Sequence, residues 1–179
     1  MAIIAGLSKN CGTLCGGGVK RLWVANYDDI ASFTFGVDNS VTTITMVATK
    51  KFYEVELKRQ SKIFTETTNV SEGGCGYSLA QNFTGIGQCR DQDARNWLLS
   101  VAKQSCCGIV AVHEEANGFV GVWGYIKDQS IYLGGGTVIS TGTALADPSQ
   151  ITLELLCDTT MDGLATELTG GVAAIEALT

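Results

Sequence analysis

One segment of this chain carries a helical stripe, and the sequence around it alternates with the period of strands. In residues 91–104 the apolar side chains Ala94, Trp97, Leu98 and Val101 fall at i, i+3, i+4 and i+7. That spacing draws a single apolar stripe along a helix. Asp91 stands where a side chain can cap the free N–H groups of the first turn. Asp93 adds negative charge near the positive end of the helix dipole, and Lys103 adds positive charge at the other end. A lone stripe cannot stay in water, so it must pack on the sheet that its neighbours in the sequence form. The spacing therefore predicts a mainly β (α+β) fold with one flanking helix over about 91–104.

Upstream of the helix, Val19–Asn26, Ile30–Phe35 and residues 41–48 read as strands, with Asp38-Asn39-Ser40 as a turn. Residues 52–88 read as a long hairpin with limbs 52–70 and 75–88. In the first limb Tyr53, Val55 and Leu57 alternate with Glu54, Glu56 and Lys58. In the second, Tyr77, Leu79 and Phe83 alternate with Ser78, Ala80, Asn82 and Thr84. Period two with one apolar face means one side on a core and one side wet. The first limb, fully extended, would reach about 60 Å, longer than a usual strand, so it should project and lean on a partner. Val70, Ser71, Glu72, Gly73, Gly74, Cys75 and Gly76 form its expected inter-subunit tip.

Downstream, residues 108–115 are apolar on both faces, as a central strand would be, and Asn117-Gly118 is a two-residue hairpin turn. Residues 119–126, 131–133, 138–140 and 151–157 follow as short strands. In the last of these Ile151, Leu153 and Leu155 face in, while Thr152 and Glu154 face out. The expected organisation is an N-terminal arm (1–18), a β domain (19–157) and a C-terminal arm (158–179) with a short helix near 172–178.

At 45 % hydrophobic and 17 % charged, the chain is expected to fold and to stay out of the bilayer. Residues 2–7 are apolar but lack the basic flank and the length of a signal peptide. With no export signal, the seven cysteines are expected as reduced thiols. The net charge of −6 argues against general nucleic-acid binding through a basic surface. That charge is uneven: 11 basic and 9 acidic residues up to Lys103, then 1 basic and 9 acidic after it. Such polarity suits head-to-tail assembly as well as an acidic second half of a soluble protein.

Catalytic patterns fail one by one. His113, the single histidine, sits inside an apolar strand, where a packed histidine is expected. Gly76-Tyr77-Ser78-Leu79-Ala80 approaches a nucleophile elbow, but Ala80 replaces its last glycine and no helix follows. Cys11 and Cys15 supply two thiolates with no second pair, and adjacent Cys106 and Cys107 do not readily face one metal. Gly85-Ile-Gly87 meets Arg90 where a dinucleotide fingerprint needs glycine, and the glycine triplets 16–18 and 134–136 lack the lysine of a phosphate loop. Adjacent acids, Asp28-Asp29 and Glu114-Glu115, point to opposite faces if on strands. No enzyme activity, cofactor or metal is expected.

The order of parts is similar to the tube subunits of bacteriophage tails, a family that shares its fold with the tube proteins of contractile injection machines. The residues that carry the resemblance are the helix 91–104, the following Gly108-Ile-Val-Ala-Val-His-Glu-Glu-Ala-Asn-Gly118 hairpin start, residues 119–126, and the Thr141-Gly-Thr…Asp147…Ile151-Thr-Leu end. The resemblance spans most of 19–157 and has no catalytic residues to carry over. It implies a β-sandwich or small barrel, a major tail tube protein self-assembling into stacked rings, usually homohexameric, and a structural place in the virion tail. It implies other tail proteins (terminator, tape measure, baseplate) as partners, and DNA passing through the bore during ejection without sequence-specific binding. The Cys-rich start is not expected of that family. If rings form, the wet residues Glu54, Glu56 and Lys58 with Ser78, Asn82 and Thr84 are the candidate lumen. A bacterial injection or secretion tube, or a monomeric β-sandwich binding module, are the alternatives.

Overall fold

The computed structural model describes residues 17–70, 76–88, 91–141, 143 and 149–179. Twelve strands and two α-helices follow in order: β1 (Val19–Asn26), β2 (Ile30–Phe35), β3 (Val41–Met46), β4 (Tyr53–Glu54), β5 (Ile63–Val70), β6 (Tyr77–Gln88), α1 (Gln92–Gln104), β7 (Ile109–Glu115), β8 (Val120–Trp123), β9 (Tyr132–Leu133), β10 (Val138–Ser140), β11 (Gln150–Thr159), β12 (Thr166–Glu167) and α2 (Gly171–Glu176). The fold is mainly β with one main helix.

One sheet has the order β12-β8-β7-β1-β4, a second the order β10-β11-β6-β5 with β9 also against β11, and β2 and β3 form a separate hairpin. Pairing within all three is antiparallel. The central strands of the first sheet, β1, β7 and β8, are buried on both faces. Leu22, Val24, Ile109, Ala111 and Trp123 turn towards Phe83, Leu153, Leu155 and Cys157 of the second sheet. Their chain neighbours Trp23, Ala25, Val110, Val112 and Val122 pack on the other side with Val41, Ile44, Leu168 and Ile175. A continuous apolar run such as that of β7 has this cause: alternate residues belong to two different cores.

Helix α1 begins where the sequence places its cap. The Ala94 N–H donates to Asp91 Oδ1 at 2.7 Å. Val101 is buried, and Trp97 and Leu98 are half-buried against the core between the two sheets. The Asn117-Gly118 turn joins β7 to β8, with Gly118 at φ +92°. Gly121 is needed for space: a Cβ there would lie 2.7 Å from the His113 ring and 2.8 Å from that of Phe119.

The long hairpin is shorter than its alternation suggests. Only Ile63–Val70 pairs with β6, from Ile63↔Thr84 to Val70↔Tyr77. Glu54 instead pairs with Trp23 of β1, in the other sheet. Between them the chain crosses from one sheet to the other. Val55 N–H donates to Leu22 O at 2.8 Å, and Lys58 N–H to Ile86 O at 2.7 Å. Gln60, at φ +61°, sits in a region no strand residue adopts and ends any continuous limb. Tyr53 and Tyr77, expected on the buried face, are exposed. Of the expected tip, Val70 ends β5 and Gly76 precedes β6, both exposed. Residues 71–75 lie outside the described residues, as do 1–16 of the N-terminal arm.

Residues 158–179 are built into the body rather than forming an arm. β11 continues to Thr159, β12 adds an edge to the first sheet at Thr166↔Val122, and α2 buries Ile175 completely. Two-residue β12 and six-residue α2 are too short to show a period, which is why the sequence pattern there looks weak. We expect Trp123→Ala to cost about 3–5 kcal/mol, because this side chain is fully buried between the two sheets. Trp97→Ala, at a half-buried position, should cost distinctly less. Chemical denaturation of the two variants checks the order.

Candidate functional site

The second sheet has two chemically different faces. On β6 and β11 the side chains Leu79, Phe83, Leu153 and Leu155 are buried in or near the core, and residues one position away point to the opposite face. Cross-strand register assembles that opposite face: Thr65↔Asn82, Asn69↔Ser78, Glu154↔Thr84 and Thr152↔Val138. Small uncharged polar groups are the largest class on it, with Ile63, Ala80, Ile86, Tyr132, Val138 and Leu156 as apolar or aromatic members. Strands β5, β6, β9, β10 and β11 contain neither lysine nor arginine, and their only acids are Glu66, Glu154 and Asp158.

These acids are engaged. Glu154 Oε2 accepts from the Gly136 N–H at 2.6 Å, and Oε1 lies 3.4 Å from Asn82 Nδ2. Its side chain fills the space beside Gly134 and Gly136 that a Cβ would need, so the triple-glycine turn folds over this carboxylate. Asp158 accepts from Tyr132 Oη at 2.7 Å, which pushes the tyrosine up to about 12. Glu66 accepts from Gln81 Nε2 at 2.7 Å and from the Ala165 N–H at 2.8 Å, tying the sheet to the loop after β11.

The six residues expected to share a lumen face are divided by the structure. Ser78, Asn82 and Thr84 lie together on the wet face of β6. Glu54 does not join them: it is on β4, where both carboxylate oxygens accept from Arg21 at 2.9 and 2.8 Å. Arg21 hydrogen bonding holds the Glu54 carboxyl below its usual range. Glu56 is exposed beside an apolar cleft of about 300 Å³ with Val55, Leu57 and Trp97. Lys58 is half-buried and reaches towards Gln150 Oε1 at 3.4 Å. The cause is the crossover between sheets, which alternation in one limb cannot reveal. Thr65, Thr67 and Asn69 of β5 complete the face, and sequence reasoning missed them because β5 alternates weakly. Thr152 and Glu154 were legible from the alternation of β11.

The groups with most reactivity are dispersed. His113 is completely buried, its ring 4.3 Å from that of Phe64 between centroids, with Nε2 3.5 Å from Glu115 Oε1. Burial pushes it down to about 4, against the opposing pull of Glu115. Cys157 is buried and its thiol Sγ lies 2.9 Å from Gln129 O, whereas Cys106 and Cys107 are exposed. Among the described residues no group of three His, Cys, Asp or Glu side chains could hold a metal ion. No helix there is long and apolar enough to cross a membrane.

Compared with known protein families, functionally characterised proteins and solved structures, the chain shows no match.

The buried histidine fixes a pH dependence. An unfolded chain binds a proton at His113 below about 6.5, while the folded chain resists it down to about 4. The unfolded state therefore binds more protons within that window, and stability should fall as pH drops through it. Above pH 6.5 this contribution is fully present. His113→Gln should flatten the decline between pH 6.5 and 5 in urea denaturation measurements.

Proposed function

We propose that this chain is a structural subunit of a tube, of the kind found in bacteriophage tails, which self-assembles into rings and stacks them around a channel for DNA. One observation carries the reading: a four-stranded antiparallel sheet with one face on a core, a wet face whose strands supply no lysine or arginine, and β5 and β10 as its two outermost strands. Because each neighbour in the order β10-β11-β6-β5 runs antiparallel, β5 and β10 run in opposite directions. A copy rotated about a ring axis then brings its β10 antiparallel to the β5 of the next copy. Closing the sheet in this way removes edges that otherwise aggregate.

The wet faces would line the bore, and the two packed sheets of each copy would form a sandwich-like wall. Affinity for nucleic acid comes largely from lysine and arginine neutralising phosphates. A wall of threonine, asparagine and serine interspersed with apolar side chains, its carboxylates engaged, offers DNA phosphates few cations to hold. Other tail proteins would meet the ends of such a tube, in a virion tail.

Electron microscopy of the purified protein should show rings or tubes; particles that stay monomeric at every salt and protein concentration would sink the reading. Thr65→Lys with Thr67→Lys uses the charge with which exposed edges avoid pairing. This pair should leave the monomer folded and raise the concentration needed for assembly by at least about tenfold, one 1.4 kcal/mol step. For the bore, Asn82→Lys with Thr84→Lys should keep tubes intact but make them retain DNA. That retention should weaken steeply as salt rises. Tubes with these lysines that take up no DNA at low salt would place this face away from the channel.

A further inference from the structure

Two clefts on opposite flanks of the first sheet carry opposite charge. One lies beside β1 and the segment after β4. It has a volume of about 760 Å³, and Lys20, Leu57, Arg59 and Lys62 line it without any carboxylate. Lys20 is paired to Glu114 at 3.0 Å, and the Lys62 ammonium donates to the Lys20 carbonyl. Arg59 is exposed and makes no ion pair among the described residues. The other cleft, of about 620 Å³, lies beside β12 at the far edge of the same sheet. Asp38 and Asp162 line it with Phe35 and Leu164, and it contains no lysine or arginine.

The tip of the β2–β3 hairpin borders this second cleft and is built to be presented. Gly36 N–H donates to Ser40 O at 2.8 Å, closing the turn. Asp38 Oδ1 accepts from Ser40 Oγ at 2.7 Å and from its N–H at 3.2 Å, which fixes the carboxylate. Val37 beside it is wholly exposed, and Phe35 is 45 % exposed. A turn of this kind would normally carry only polar residues. An isolated, fully exposed valine next to a fixed carboxylate matches a cleft that Leu57 lines together with Arg59 and Lys62.

We propose that the β2–β3 tip of one copy seats in the Lys20–Arg59–Lys62 cleft of the next copy, with Val37 against Leu57 and the Asp38 carboxylate between Arg59 and Lys62. The inference rests on the self-assembly reading above and adds a second contact, independent of the pairing of β5 with β10. Because the two surfaces lie on opposite flanks of one sheet, the contact is heterologous: each copy gives a tip and takes a tip, and repetition propagates the assembly. The charges select this head-to-tail partner and repel tip-to-tip and cleft-to-cleft encounters.

A charge exchange tests it. Asp38→Arg and Arg59→Glu are each purified as full chains, and thermal melting followed by circular dichroism verifies that both fold. Each variant alone should need at least about tenfold more protein to assemble than the wild type at low salt, by sedimentation velocity, with the difference shrinking as salt screens the contact. In a 1:1 mixture the substituted tip of one variant can pair with the carboxylate introduced at position 59 of the other, and the unchanged Asp38 tip meets the unchanged cleft, so assembly should return at least in part, as it should in the doubly substituted chain. Assembly of either single variant at the wild-type concentration, or no recovery in the mixture and the double variant, overturns the contact while leaving the tube reading standing. A wild-type chain that never assembles overturns both. Cleft variants that bind short DNA less well but assemble normally would reassign the cleft to a polyanion and likewise overturn the proposal.

Discussion

The structure depends on one constraint: β7 and its neighbours form a sheet with no wet face. Trp23, Val110, Val112 and Val122 on one side, and Leu22, Ala111 and Trp123 on the other, must all be covered. At about 25 cal/mol per Å² of apolar surface, neither side can be left open. The second sheet and α1 cover one side, and the β2–β3 hairpin and α2 cover the other. Every other element can be understood as a cover for this sheet or a connection between covers.

The covers are locked by polar contacts at the junctions. Arg21 projects from β1, stacks 4.5 Å over the Trp23 ring, and pairs with Glu54 of β4 and Glu176 of α2. A single guanidinium therefore joins an edge strand and the last helix to the central sheet. Its five fixed donors suit such a junction, which a lysine could not reproduce. On the second sheet Glu154 does comparable work by holding the glycine turn between β9 and β10, and Glu66 holds the loop that leads to β12. Several charges that read as wet and free in sequence are committed to such joints.

What remains uncommitted is informative. The strands of the second sheet contribute no cation to the face away from the core, and those at its two margins run in opposite directions. A monomer gains nothing from that arrangement, whereas the proposed ring would use it on every subunit. The same logic applies to the exposed valine at the β2–β3 tip: alone it is a small liability, and in the proposed contact with another copy it would be covered.

Most strands, the main helix and its cap were legible in sequence because each depends on neighbours two to four residues away. Val19–Asn26, Ile30–Phe35 and Val138–Ser140 begin and end where turn residues and alternation place them, and Asp91 caps α1 through a bond only three residues long. Part of the candidate site was equally legible: Ser78, Asn82, Thr84, Thr152 and Glu154 alternate with core residues on long strands. Sheet membership was not. Glu54 and Thr65 stand on one apparent limb, yet the crossover at 55–62 sends one to each sheet, because Trp23 lies across from Glu54 and Asn82 across from Thr65. Period two tells which residues share a strand face, and it carries no information about which distant strand supplies the hydrogen-bond partner. Local chemistry determined the elements of this protein; the need to cover both faces of one sheet, a property of the assembled tertiary structure, decided which of its charges are joints and which face is open.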